Sequence, residues 1–180
     1  MESQLFLLTE RDAFLEAMSR IASTVSIVTT DGPAGRSGAT VSSLVSVSAD
    51  SARPTLLVCL HQSSGTAAKV IENGIFCINV LRDEQAWISD IFAGRAGVSG
   101  ADRFRSSDWT FGHGRAPRLS DALVALDCQI AGSQIVGQHH VMFGEVQGST
   151  IGEAGYPMLY LNRGYAVARP KRLAVHEAAA

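Results

Sequence analysis

Two segments of this chain place small hydroxyl side chains where a flat, phosphorylated ligand could be held. The first is Gly38-Ala39-Thr40-Val41-Ser42-Ser43-Leu44-Val45-Ser46-Val47-Ser48. Such a run suits a strand with a polar face, because β-branched and hydroxyl residues fit a pleated surface. It suits a binding surface equally well. Small side chains let a planar ring lie against the backbone, whose N–H groups meet the ring's heteroatoms while hydroxyls add donors without bulk. The second segment, His61-Gln62-Ser63-Ser64-Gly65-Thr66, comes just before a predicted helix. Its Ser and Thr can cap that helix, or they can join the free N–H groups and positive dipole end in holding a phosphate. Neither a Gly-x-Gly-x-x-Gly fingerprint nor a Walker lysine pattern accompanies them.

Other chemistries find less support. His139 and His140 are adjacent, so on a strand they point to opposite faces and cannot share one ion. No Cys, Asp or Glu stands at ligand spacing beside them, and a metal site needs three or four convergent ligands. No metal is expected. Cys59, Cys77 and Cys128 are far apart and lie in apolar, strand-like runs with no Cys-x-x-Cys pair, which reads as buried reduced thiols. No Gly-x-Ser-x-Gly elbow points to a serine hydrolase. Arg103 and Arg105 could meet a phosphate or simply be solvated.

The elements that must position these residues follow from periodicity. Thr9 with Asp12 three residues on resembles a helix cap, and Phe14, Met18 and Ile21 recur at helical spacing, so residues 10–20 read as an amphipathic helix. From Ser23 the period becomes two, a half-buried strand. Residues 31–35 are a turn by composition, and Ser37 to Ser48 reads as a second strand. A strand over 55–60, a short helix over 66–73 ended by Gly74, a strand over 75–81 and a short helix over 83–92 follow. Residues 93–108 read as a long loop, the kind that is usually functional or mobile. Val124, Leu126, Cys128 and Ile130 alternate cleanly, Gly137 interrupts, and further strands are expected at 139–150, 156–162 and 165–169. Seven or eight strands with two or three short helices, and no regular βαβ alternation, argue for a closed, mostly antiparallel barrel.

At 180 residues the chain suits one domain with a real core. A net charge of -2 lacks the basic excess of a nucleic-acid binder. No stretch reaches bilayer-spanning length and the N-terminus shows no cleavage site, so no membrane partner is expected and the chain reads as cytoplasmic. The tail from Lys171 is expected to fray.

Thr29-Thr30-Asp31-Gly32-Pro33-Ala34-Gly35-Arg36, then Ala39-Thr40-Val41-Ser42-Ser43 and Ser46-Val47-Ser48, closely resemble the short-chain flavin reductase family, the reductase components of two-component flavin monooxygenases. Later motifs agree in order: Pro54 to Leu60, Ser64-x-Thr66, Phe76-Cys77-Ile78-Asn79-Val80-Leu81, and Arg103-Phe104 followed by Trp109. The likeness covers roughly residues 10–169.

This resemblance implies a mainly β, split Greek-key barrel, a single flavin reductase-like domain spanning 1–180, and a homodimer. It implies hydride transfer from NADH or NADPH to FMN, slightly favoured over FAD, with reduced flavin passed to a flavin-dependent monooxygenase. Carried over by position, the backbone around Thr40, Val41, Ser42, Ser43, Ser46, Val47 and Ser48 would line the isoalloxazine and ribityl chain. Ser64 and Thr66 would approach the phosphate. Cys59, Leu60, His61, Asn79, Arg103, Phe104 and Tyr165 would complete the flavin site, and His139 would lie near the nicotinamide. The chain departs from the family at Gln138, where an acidic residue is expected. Gln138 brings a hydrogen-bonding amide but no charge to stabilise a cationic His139. His61 stands where many relatives carry Asn. Alternatives are a flavoprotein reducing another acceptor, such as a corrinoid or ferric chelate, a flavin-binding module without catalysis, and, with less support, an oxidase like the pyridoxamine phosphate enzymes.

Overall fold

The structure, a computed structural model, describes residues 9–50, 52–112 and 114–169. The frayed tail expected from Lys171 lies outside them.

Thr9 accepts the Asp12 N–H at 3.2 Å and opens helix α1, Glu10–Ser19. The helix buries none of its residues, and Phe14, Met18 and Ile21 stand exposed. Its apolar stripe is therefore surface rather than core. Strands β1 (Ser23–Thr24) and β2 (Ser26–Thr30) come next. The alternation implied a half-buried strand, yet β2 is buried throughout. Val28 packs into one core cluster while Ile27 packs into another, so both of its faces are covered.

The run read as one strand over 37–48 is two, β3 (Ser37–Val41) and β4 (Val45–Ser48). Strand β5 (Thr55–His61), helix α2 (Gly65–Asn73) and strand β6 (Ile75–Val80) match expectation. Gly74 ends α2 at φ 71, the left-handed conformation that favours glycine. Helix α3 is shorter than expected, Ala86–Phe92. The presumed loop over 93–108 contains a 3₁₀ helix, Gly100–Ser106. A small hairpin, β7 (Trp109–Phe111) and β8 (Pro117–Leu119), follows. Strands β9 (Val124–Val136) and β10 (His139–Ile151) form a long hairpin turned at Gly137, φ 58. Strands β11 (Met158–Leu161) and β12 (Gly164–Val167) close the described chain. The strand count exceeds seven or eight because pieces as short as β1, β7 and β8 carry no periodic signal.

Seven strands form one antiparallel sheet in the order β3-β2-β6-β9-β10-β5-β4. The chain thus crosses from one edge of the sheet to the other between Val41 and Val45. The sheet curls until β3 lies against β5, but no ladder joins those two strands among the described residues. The barrel is split at that seam. Inside it, Val28, Val58, Phe76, Ile78 and Met142 meet Val70 of α2. Outside it, Ile27, Leu81, Ile88, Phe92 and Phe104 form a second apolar layer under α3. No helix among the described residues is long and apolar enough to cross a membrane.

Candidate functional site

The seam creates the site. Strand β3 pairs with β2 along one edge only, so its other edge offers unpaired backbone donors and acceptors. Three adjoining hollows lie along it, all lined by Thr40.

The central hollow encloses about 300 Å³ and is walled by Ala39 to Ser43, Cys59, Leu60, His61, Ser64 and His139. Ser43 and Cys59 face each other across the seam, the serine hydroxyl accepting the Cys59 N–H at 2.9 Å. The strand register pairs His139 directly with His61, whose rings meet edge to face with centroids 5.0 Å apart. His140 is displaced from the hollow, as adjacency on a strand requires.

Towards α2 the groove widens to about 500 Å³. Ser63, Ser64, Gly65 and Thr66 bring the N-terminal turn of the helix to its wall, and Lys69 and Arg103 add two cations. The Ser64 side chain makes no capping bond although it sits at the N-cap, so its hydroxyl is free for a ligand. Thr66 is held by Ser37, oxygen to oxygen 2.8 Å. The arrangement fits a phosphate: helix N–H groups, hydroxyls and positive charge converge on one place. Lys69 was missed in the sequence, although its i,i+3 spacing from Thr66 on α2 puts the two on one helix face.

Arg103 is tied down rather than free. Its guanidinium donates to the carbonyl oxygens of Val98 at 3.1 Å and Gly38 at 3.3 Å, pinning the 93–108 segment to β3. Behind it Phe104 is buried in an aromatic cluster, 5.1 Å from Phe92 and 5.0 Å from Trp109. Phe104 thus supports the wall rather than facing the groove. Gly38 belongs to the same contact, since a Cβ there would sit 2.7 Å from the Phe92 ring.

The third hollow, about 210 Å³, lies beyond Thr40 and is lined by Ser89, Arg95, Tyr160 and Tyr165 among others. The Tyr165 hydroxyl donates to Asp90 at 2.7 Å and Arg95 donates to both. The Tyr165 hydrogen bond holds the Asp90 carboxyl below its usual range, and burial pushes the Tyr165 phenol up.

Besides Phe104, four expected site residues are placed elsewhere. Asn79 is fully buried away from the groove: its amide donates to the Ile27 carbonyl at 3.2 Å and its oxygen accepts the Leu119 N–H at 2.7 Å. Ser46, Val47 and Ser48 lie on β4, the opposite edge strand, and line none of the three hollows. Gln138 is also redirected, hydrogen-bonding the His61 ring at 3.2 Å rather than serving His139. All three cysteines are free thiols. Burial raises the Cys77 thiol far above its usual range and the Cys128 thiol to about 12, so neither is a thiolate at neutral pH. Among the described residues no group of three or more His, Cys, Asp or Glu side chains could hold a metal ion.

Comparison with known proteins adds the chemistry that geometry alone leaves open. Residues 18–169 match the family described as a flavin reductase like domain. The chain is 42% identical over 153 residues to FMN reductase (NADH) RutF 1 of Methylorubrum extorquens, covering 85% of this chain and 74% of that protein. It is 38% identical over 160 residues to FMN reductase (NADH) RutF of Acinetobacter baylyi, covering 89% and 83%. The Streptomyces globisporus NADH:FAD oxidoreductase SgcE6, solved with NAD and FAD fragments, superposes with a TM-score of 0.77 at 25% identity, covering 93% of this chain and 95% of that one.

Proposed function

The chain belongs to the flavin reductase like domain family, and on that footing we propose that it is an NADH-dependent FMN reductase working in the β3–β5 seam. The observation that carries this reading is the pairing of an open strand edge with a cationic, hydroxyl-rich helix start in one continuous groove. A flat ring needs the first and a terminal phosphate needs the second.

The residues present fit the flavin. The backbone of Thr40 to Ser43 would meet the ring edge, Ser64 and Thr66 with Lys69 would hold the phosphate, and His139 would abut the nicotinamide. Flavin held there would supply the hydride acceptor and nicotinamide the donor. The protein's own part is orientation and exclusion. Thr40 is fixed by donating to the Ser89 carbonyl at 2.7 Å, and Ser43 fixes the facing strand. Holding two planar partners in register replaces a bimolecular encounter with a preformed one. No acid–base side chain is required for this step.

Release of reduced flavin to a monooxygenase component belongs to the same proposal, supported by the half-open groove. So does a homodimer, supported by the exposed Val45 and Val47 on the edge strand β4. Steady-state turnover tests the core of the reading. Catalytic amounts of protein should oxidise NADH for as long as FMN and oxygen are supplied; oxidation no faster than in protein-free buffer would overturn it.

A further inference from the structure

His61 does more than line the groove. The Ser63 backbone N–H donates to its Nδ1 at 3.1 Å. A backbone N–H can only donate, so Nδ1 is the bare nitrogen and Nε2 carries the proton. That proton is aimed at the Gln138 amide oxygen, 3.2 Å away. The Ser63 hydroxyl, 2.7 Å from Nδ1, donates to the same lone-pair side. Gln138 is itself anchored, because Gln62 donates from its backbone to the Gln138 carbonyl at 2.9 Å and from its side chain to the Gly137 carbonyl at 3.3 Å. The His61 ring is therefore fixed at both nitrogens, and its plane stands at 87° to that of His139. Among the described residues no hydrogen bond holds His139 at either ring nitrogen; its ring is braced by His61.

We propose that His61 is the positioning residue for the nicotinamide end of the groove: held as the Nε2–H tautomer by Ser63 and Gln138, it sets the plane of His139. The inference rests on the reductase reading above. It also explains the amide at position 138. An uncharged acceptor there suits a neutral imidazole donor on the neighbouring strand, so its partner is His61 and not a cationic His139.

A double-mutant cycle on the full chain tests this, using His61→Ala, His139→Ala and the pair. An edge-to-face ring contact is worth roughly two- to tenfold in an equilibrium constant. His61→Ala should raise KM for NADH by that factor, more than it changes the Kd for FMN, and the double variant should be no worse than His139→Ala alone. Gln138→Ala, which keeps both imidazoles, should move KM for NADH in the same direction. Independent effects that multiply in the double variant, or a loss confined to FMN affinity, would overturn the proposal. A long-range proton–nitrogen NMR spectrum of the wild type supplies a readout that needs no turnover. It should show His61 protonated at Nε2, with both imidazoles shifting when NADH is added. A proton on Nδ1, or NADH shifts at neither ring, would overturn the proposal. Wild-type protein that binds NADH at these rings without oxidising it would sink the reductase reading and leave this one standing.

Discussion

The Ser43 hydroxyl engages both backbone groups of Cys59, accepting its N–H at 2.9 Å and donating to its carbonyl oxygen at 3.1 Å. One side chain thus does what a strand ladder does elsewhere in the sheet, and it does so at the seam where the groove opens. Ser43→Ala leaves two half-buried backbone groups without this partner, at a cost of about 1–3 kcal/mol. Urea denaturation should show a lower midpoint with an unchanged slope, and FMN titration should show weaker binding, because the two walls lose their tie. Unchanged stability would mean the seam closes by other contacts.

At the other end of the groove the expected effect is electrostatic. Lys69 donates to the Arg36 carbonyl at 3.4 Å and faces the Ser64–Thr66 turn. Lys69→Met should weaken FMN by roughly tenfold, the scale of one charge-assisted hydrogen bond. Riboflavin, which lacks the phosphate, should bind the variant and the wild type alike. The wild-type preference for FMN should shrink as salt rises.

Asn79 separates a core role from a ligand role. Its side chain joins β2, β6 and β8 through the Ile27 carbonyl, Thr29 hydroxyl and Leu119 N–H. Asn79→Ala strands buried polar groups and should cost about 3 kcal/mol, among the larger single-residue effects. At a temperature where the variant remains folded, its FMN affinity should match the wild type. A specific loss of FMN binding would return Asn79 to the ligand site.

The Tyr165–Asp90 bond predicts a stability plateau. Asp90 is depressed in the fold chiefly by its Tyr165 hydrogen bond, so its contribution is present above the unfolded carboxylate value, about pH 4, and fades as pH falls through the lower folded value. Tyr165 is raised chiefly by burial, so its contribution is present below about pH 10 and fades as pH rises through the higher folded value. The contribution of this pair, read as the difference between wild-type and Tyr165→Phe thermal melts, should therefore be flat between these limits and fall on both sides; the buried Cys77 and Cys128 thiols add a loss above about pH 8.5 that both proteins share. In Tyr165→Phe both flanks should soften. Identical pH profiles would remove the bond from the account.

Much of this was legible because local signals agreed with the fold. The Thr9 cap, the Gly74 stop and the alternation from Val124 each mark an element that forms where its residues require. The groove's outline was legible too, since Thr40 to Ser43, His61, Ser64, Thr66 and His139 converge from β3, β5, α2 and β10. What escaped depends on the curl of the sheet. Nothing in Ser42-Ser43-Leu44 punctuates the chain, so the crossing from β3 to β4 reads as an unbroken strand, and Ser46 to Ser48 leave the site with that crossing. Asn79 looks like a ligand residue beside its motif, yet it faces inward because β6 is central and covered on both sides. The bond from Gln138 to His61 is a contact across 77 residues that no local pattern encodes.

The most direct test of the central claim is anaerobic mixing of the protein with FMN and NADH while flavin absorbance is followed near 450 nm, roughly the oxidised flavin's own band. NADH should bleach the flavin rapidly and catalytically, the rate should fall in His139→Ala without loss of FMN binding, and no bleaching should occur when NADH is omitted. Tight FMN binding with no bleaching by NADH or NADPH would contradict it and leave a flavin-binding protein that takes its electrons elsewhere or not at all.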